Sequence, residues 1–312
     1  MPLQNLAHSK LQSSVVTLNQ ITQPTQTRYV VITPARDEVQ YIADTITSMV
    51  NQTVRPVEWV IVDDGSTDAT GEIIDRFAVQ HSWITALHRP NRGIRENNVG
   101  AIEAFFDGYR VLKFADWEFL VNLDGDLSFG TDYFERCLDQ FREDPVLGIG
   151  GGQLYHVENG VAKTESTPLF HVRGATKIYR RSCWDAMGGL RIGPGWDTID
   201  EIKANMLGWR TRNFPNIQAE HRRPTGAAEG VWRDAVKNGR AEYFSGYHPL
   251  FMLVKCVKRV LQKPYLIGAA GLLYGFTSAY LKRDPKVEDR ALIDYLRKQQ
   301  MKRLLLQDSI WK

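Results

Sequence analysis

The sequence predicts an α/β fold, a mostly parallel central sheet flanked by helices, with a C-terminal helical extension of basic and apolar character. Three observations predict it. From Arg28 to Val121, short β-branched and apolar runs alternate with stretches of helical periodicity, the pattern of parallel strands with helices on the sheet faces. Two of these runs lead straight into aspartates, Asp63-Asp64 and Asp124-Gly125-Asp126, and open α/β sheets bind ligands at such carboxyl edges. From Pro249 the composition changes, and between Lys255 and Lys312 there are 13 Lys/Arg against 5 Asp/Glu.

Residues 1–27 are Gln-, Ser- and Thr-rich, carry no signal-peptide pattern, and read as a poorly ordered segment. Tyr29-Val30-Val31-Ile32-Thr33 is a buried strand, followed by a loop from Pro34 to Glu38. Ile42, Ile46, Met49 and Val50 give a helix over about 39–51. Glu58–Val62 is the second strand. Ser66 or Thr67 then caps a helix carrying Ile73, Ile74 and Phe77. Trp83–Leu87 is a third strand, and a basic loop from His88 to Arg95 leads to a helix through Val99, Ile102, Phe105 and Phe106. Trp117–Val121 is the fourth strand. Further on, Gly148–Leu154 is a glycine-rich strand with something close to its backbone. Phe170–Tyr179 is strand-like, about Thr198–Leu207 is helical, and Arg212-Asn213-Phe214 is a strand before a polar stretch, Ala219–Gly226.

Composition excludes some functions. A net charge of +3 over 312 residues implies no nucleic-acid partner. Three widely spaced cysteines, Cys137, Cys183 and Cys256, make neither a disulfide framework nor a zinc motif. No G-x-G-x-x-G or P-loop cradles a phosphate.

The chemistry centres on Asp124-Gly125-Asp126. Two carboxylates this close raise each other's energy unless a cation shares them. Hard oxygen donors suit Mg²⁺ or Mn²⁺. The alternative is an Asp-Gly turn closing a hairpin.

Three blocks, VVITPARDEVQYIADTITSMVNQ, VIVDDGSTDAT and NLDGD, resemble in order and spacing the inverting family-2 glycosyltransferases of the GT-A fold, over roughly residues 28 to 230. Asp37 departs from the Asn more common there. The resemblance implies a nucleotide-diphosphate sugar donor, UDP-linked for preference, and a divalent cation, Mg²⁺ or Mn²⁺. It implies that Thr33, Pro34, Ala35, Arg36 and Glu38 line the nucleoside pocket and that Asp64, with Asp63 beside it, binds the base. Asp124 would sit near ribose and diphosphate, Asp126 would be the main metal ligand, and Arg92 and Arg95 would lie over the nucleotide. His221 would complete the metal site or touch the diphosphate, with Arg222 and Arg223 as phosphate clamps.

The acceptor half needs a carboxylate, because an acceptor hydroxyl is a poor nucleophile until its proton is taken. Counted back from Gly208, Asp197 falls where the family keeps its catalytic Asp, although Trp196 replaces the preceding Glu. Asp200-Glu201 is the rival pair. Asp197 also fits a helix N-cap, and Thr198-x-x-Glu201 a capping box.

The expected organisation is a catalytic domain over 28–245, with a nucleotide half (28–130) and an acceptor half (131–245), and a membrane-associating helical segment over 246–312. PLFMLVKCVKRVLQK is a basic amphipathic helix suited to a membrane surface. PYLIGAAGLLYGFTSAYL is 18 residues without charge, borderline for spanning, and reads as interfacial or re-entrant. Otherwise it is a hairpin packed on the catalytic domain. The expected setting is the cytoplasmic face of the inner or plasma membrane, or the cytoplasm if the tail packs internally, and the expected acceptor is a saccharide or a lipid-linked saccharide. A catalytically silent sugar-nucleotide-binding membrane subunit is the alternative. A sugar nucleotidyltransferase would need a basic, glycine-rich phosphate loop that Pro34–Glu38 does not supply.

Overall fold

The structure is a computed structural model that describes residues 27–93, 99–165, 167–223, 230–261 and 265–311. The segment 1–26, Arg95 and the stretch Pro224–Gly226 lie outside these residues. In chain order, β1 (Tyr29–Ala35), α1 (Ile42–Val50), β2 (Glu58–Asp63), α2 (Thr70–Gln80), β3 (Ile84–His88), α3 (Val99–Arg110) and β4 (Phe119–Leu123) make the expected alternation. Then come β5 (Leu127–Phe129), α4 (Tyr133–Glu143), β6 (Leu147–Glu158), β7 (Val161–Thr164), β8 (Thr176–Arg180), α5 (Arg181–Met187), α6 (Trp196–Met206) and β9 (Arg210–His221). Four helices close the chain: α7 (Val231–Phe244), α8 (Pro249–Val260), α9 (Tyr265–Lys282) and α10 (Arg290–Leu304).

The strands form one sheet in the order β3-β2-β1-β4-β8-β6-β9-β5, with β7 on β6. The run β3-β2-β1-β4 is parallel, as the alternation predicts. Beyond it β8 turns antiparallel to β4 and β6, and β5 is antiparallel to β9, so the second half is mixed. α1, α2 and α4 bury Ile42, Ile46, Ile73 and Phe134 on one face. On the other, α3 and α5 bury Ile102, Phe105 and Trp184. Burial on both faces is why β1, β2 and β4 read as unbroken apolar runs. The chain leaves β1 toward β2 on one side and β4 lies on the other, so the crevice at this switch of direction opens beside Ala35 and Asn122.

Several local expectations are corrected. Ser66 and Thr67 do not cap α2. Asp68 Oδ1 accepts from Thr70 N at 2.9 Å, while Ser66 Oγ accepts from Asp37 N at 3.0 Å. Of Phe170–Tyr179 only the end is strand, as β8. The strand at Arg212 is longer than read, from Arg210 to His221, and takes in the start of the polar stretch Ala219–Gly226. What approaches the glycine-rich strand β6 is the protein itself: a Cβ on Gly151 would lie 2.2 Å from the Thr176 carbonyl oxygen. Neither Asp197 nor Thr198 caps α6, which begins one residue earlier, after Gly195. No hairpin closes at Asp124-Gly125-Asp126, since β4 and β5 pair with different strands.

The terminal helices pack on the rest of the chain. Ile199 and Ile202 of α6 share a buried cluster with Tyr243, Met252, Leu272, Phe276, Leu292 and Leu296. α7 and α9 cross at glycines: a Cβ on Gly239 would lie 2.1 Å from the Leu272 carbonyl oxygen, and one on Gly275 2.1 Å from that of Val236. No helix among the described residues is long and apolar enough to cross a membrane.

Candidate active site

Two clusters meet at the carboxyl edge of the parallel strands. The first follows β2. Asp64 N donates to the Ala35 carbonyl at 2.8 Å, tying the ends of β1 and β2 together. Asp64 Oδ1 meets Arg89 Nη1 at 2.5 Å and its Oδ2 meets Arg92 Nη2 at 3.2 Å. Asp63 accepts from Ser66 N and faces His88 Nδ1 at 3.0 Å. Arg36 donates to Asn91 at 3.1 Å. Pro34 and Ala35 stand at the end of β1. Thr33 is brought elsewhere: it is fully buried, and its hydroxyl accepts from the Trp59 indole at 2.9 Å. Asp37 adopts left-handed backbone (φ 54°), and its Oδ1 accepts from Thr67 N at 2.8 Å. Asn tolerates the same conformation and offers the same carbonyl acceptor, so the departure at Asp37 costs little.

The second cluster follows β4. The Thr45 hydroxyl of α1 anchors the turn, meeting the carbonyls of Gly125 and Leu127 at 2.8 Å each. Asp126 is buried and Asp124 half-buried. Around them stand Glu38, Arg223 and His221. Arg223 pairs with Glu38 and reaches Asp126 Oδ2 at 3.2 Å. His221 Nε2 lies 3.5 Å from Asp126 Oδ1, and its Nδ1 lies 3.1 Å from Glu165 Oε1. Arg222 instead faces Asp44 at 3.2 Å.

The electrostatics show carboxylates in excess. Burial, and then the charge of Asp126, push Asp124 up to about 6. Burial and Asp126 likewise push Glu38 up to about 7, against the pull of Arg223. Burial disfavours the His221 imidazolium, but the carboxylates of Asp126 and Glu165, which accept from its ring nitrogens, prevail and carry it to about 10. His221 is thus a cation here, and ligating a metal would require it to give up that proton.

Among the described residues no three His, Cys, Asp or Glu side chains stand preassembled around a metal position. The donors nonetheless fit a hard cation. Glu38 Oε2 is buried without a hydrogen-bond partner and Asp126 Oδ1 meets only His221 Nε2, at 3.5 Å, and buried carboxylate oxygens so poorly satisfied suit a cation.

Farther along the chain, Asp197 sits in the first turn of α6, half-buried, on the wall of a cavity of about 310 Å³. His171, Arg173, Lys255, Arg259 and Trp311 share that wall. Asp200 and Glu201 are buried instead. Lys177 Nζ lies 3.0 Å from each of them, Tyr179 donates to Asp200 at 2.6 Å, and His171 Nδ1 lies 2.8 Å from Glu201. Between the clusters runs the stretch Arg173–Ala175. Asn122 Nδ2 donates to the Gly174 carbonyl at 2.6 Å, and Asp124 N donates to that of Ala175 at 2.8 Å. On its other side, a Cβ on Gly174 would stand 3.4 Å from the Asp197 Cβ. Asp124 and Asp197 therefore flank one short piece of backbone.

Sequence reasoning missed Glu165, His171, Arg173 and Lys177. The sequence does carry a signal for three of them: His171, Arg173 and Lys177 are cations in an otherwise apolar run, which predicts carboxylate partners elsewhere.

The described geometry has clear relatives. Residues 30–192 match the family model described as glycosyl transferase family 2. Glycosyltransferase GlyG of Streptococcus pneumoniae serotype 4 is 31% identical over 131 residues, 42% of this chain and 40% of GlyG. The putative glycosyltransferase EpsH of Bacillus subtilis is 25% identical over 258 residues, 80% of this chain and 67% of EpsH. This chain thus spans under half of GlyG. Among solved structures, the mannosyltransferase PcManGT from Pyrobaculum calidifontis, in complex with GDP-Man and Mn²⁺, superposes with a TM-score of 0.54 at 18% identity, covering 83% of this chain and 74% of that one. S. aureus TarS 1-349 in complex with UDP-GlcNAc gives 0.50 at 15% identity, covering 88% and 81%. These likenesses in structure carry the GT-A fold, and the family match carries membership: the chain belongs to glycosyl transferase family 2.

Proposed function

We propose that the protein transfers a sugar from a nucleotide-diphosphate sugar, UDP-linked for preference, to a saccharide or lipid-linked acceptor, with inversion at the sugar carbon. The observation that carries this reading is the position of Asp124 and Asp197 on either side of Arg173–Ala175. A donor held at the first and an acceptor held at the second would meet across that short stretch.

Asp64 and Arg36 hold the nucleoside end, with Arg95 as a further candidate. Asp124, Asp126 and, once deprotonated, His221 would hold Mg²⁺ or Mn²⁺. Such an ion, when bound, supplies positive charge to the diphosphate. Arg223 supplies more of it from the chain itself, and His221 does so only in the alternative role, charged and off the metal. Asp197 takes the proton of the acceptor hydroxyl. The acceptor oxygen forms its bond to the sugar carbon on the face opposite the diphosphate, and the carbon–oxygen bond to the leaving nucleotide diphosphate breaks with its electron pair. Asp200 and Glu201 serve as the anionic partners of Lys177 rather than as the base, because neither is open to an acceptor.

The test is binding and turnover of UDP-, GDP- and dTDP-sugars, with and without Mn²⁺, by wild type, Asp126→Ala and Asp197→Asn. One donor should bind in a cation-dependent way, Asp126→Ala should lose that binding, and Asp197→Asn should keep binding while transfer falls by about 10²–10⁴-fold. Failure of every donor to bind would end the reading.

A further inference from the structure

Helix α9 is built inside out. Its buried side is Gly268, Ala269, Gly271, Leu272, Gly275, Phe276 and Ala279, the small residues meeting α7. Its open side carries most of its large apolar residues: Leu266 is 68% exposed, Leu281 81%, and Ile267, Leu273, Tyr274 and Tyr280 also face outward. A helix on the surface of a water-soluble protein places those residues the other way round. Helix α8 repeats the arrangement. Lys255 and Arg259 turn toward the cavity beside Asp197, while Leu250, Leu253 and Val257 lie exposed on the opposite side. An exposed apolar surface of this kind marks a docking face.

The rim of the face says what docks there. Lys258, Lys282 and Arg283 are exposed at the helix ends, and Trp232 stacks beside Tyr274 at 5.9 Å between ring centres. Apolar side chains, aromatic rings with a polar edge, and basic residues at the margin are the composition that settles at the interface of an anionic bilayer. The helices pack on the body of the protein, and among the described residues none is long and apolar enough to cross a bilayer.

We infer that the outer face of α8 and α9 seats the protein on an anionic phospholipid surface, and that the cavity on their inner face receives its acceptor from that surface. The cavity lies behind a single helix, about 10–12 Å thick, so an acceptor carried on lipid has only that distance to rise. The seat stands independently of the glycosyltransferase reading; the origin of the acceptor rests on it.

The experiment is flotation of the full chain with vesicles of phosphatidylcholine alone or mixed with phosphatidylglycerol, alongside the double variant Leu266→Asp/Leu281→Asp. Donor-sugar binding is measured on the same samples in solution. The expected result is flotation with the anionic vesicles, reduced at least tenfold in the double variant and weakened by high salt, with donor binding unchanged. Wild type left at the bottom with both vesicle types would overturn the seat. So would a stable oligomer in light scattering that the double variant dissociates, because the face would then belong to a second copy. Loss of donor binding in wild type would instead strike the glycosyltransferase reading and leave the flotation result intact.

Discussion

Lys177 and Asp200 form an ion pair with no exposure to solvent: Nζ stands 3.0 Å from Oδ1, Glu201 lies at the same distance, and the ammonium also reaches the Asp197 carbonyl. One cation thus bridges two buried carboxylates, with His171 as the second basic partner of Glu201, and holds the first turn of α6, where Asp197 sits. Removing it leaves Asp200 buried with only the Tyr179 hydroxyl and the Glu201 N–H as partners, and leaves Glu201 to His171 and the Val172 N–H. Lys177→Ala should destabilise the fold by about 3–5 kcal/mol, read as a shift in the urea midpoint with unchanged slope. A shift under about 1 kcal/mol would mean that water or rearranged neighbours replace the ammonium.

A pH dependence follows from the same network. Burial works against a charged His171, but Glu201 at 2.8 Å prevails and the imidazole is raised above its usual 6.5. A raised native-state pKa means that the folded protein binds the proton more tightly than the unfolded chain. This stabilisation is complete below pH 6.5 or so and is lost as pH rises through the folded value. Between pH 6 and 9 the melting temperature of wild type should therefore fall more steeply than that of His171→Gln. Parallel curves would show that His171 carries no proton-linked stability.

How far the sequence discloses this molecule depends on where each residue's partners lie. Tyr29–Ile32, Trp59–Val62 and Leu120–Val121 are legible because burial on both sheet faces leaves an unbroken apolar run. The aspartates after β2 and β4 are legible because strand ends fix their position. β9 is only half legible: its exposed and buried residues alternate, and Pro215 interrupts it. The buried polar networks are hardly legible at all. Glu165 meets His221 across 56 positions of chain, and no local pattern foretells such a contact. Likewise the glycines of α9 lower its hydropathy, yet only the crossing with α7 reveals that they face inward and leave Leu266, Leu273 and Leu281 outside.

Gly174 offers a test of whether the two clusters work together. An alanine Cβ there would lie 2.9 Å from Trp196 and 3.4 Å from the Asp197 Cβ, so the first turn of α6 must yield. Displacing a positioned base by a fraction of an ångström to an ångström is costly in rate, not in binding. Gly174→Ala should lower kcat for transfer by about 10–100-fold while the KM for the donor stays within a factor of two or so. An unchanged kcat would separate Asp197 from the chemistry.

Arg223 stands where a divalent cation would compete. Its guanidinium lies 3.2 Å from Asp126 Oδ2 and pairs with Glu38, on the same carboxylates that carry the unsatisfied oxygens. A cation arriving without donor must displace it, losing hydrogen bonds to charged groups of about 1.5–3 kcal/mol. Arg223→Gln should therefore bind Mn²⁺ about 10–100-fold more tightly in the absence of nucleotide, seen as a rise in melting temperature at lower Mn²⁺ concentration. Asp126→Ala should show no such rise, and EDTA should reverse it wherever it occurs. The same substitution should weaken donor binding, because the guanidinium freed from Asp126 is the group available to a diphosphate. If Arg223→Gln and wild type respond to Mn²⁺ alike, Arg223 does not guard the carboxylates, and their excess charge is relieved by protonation instead.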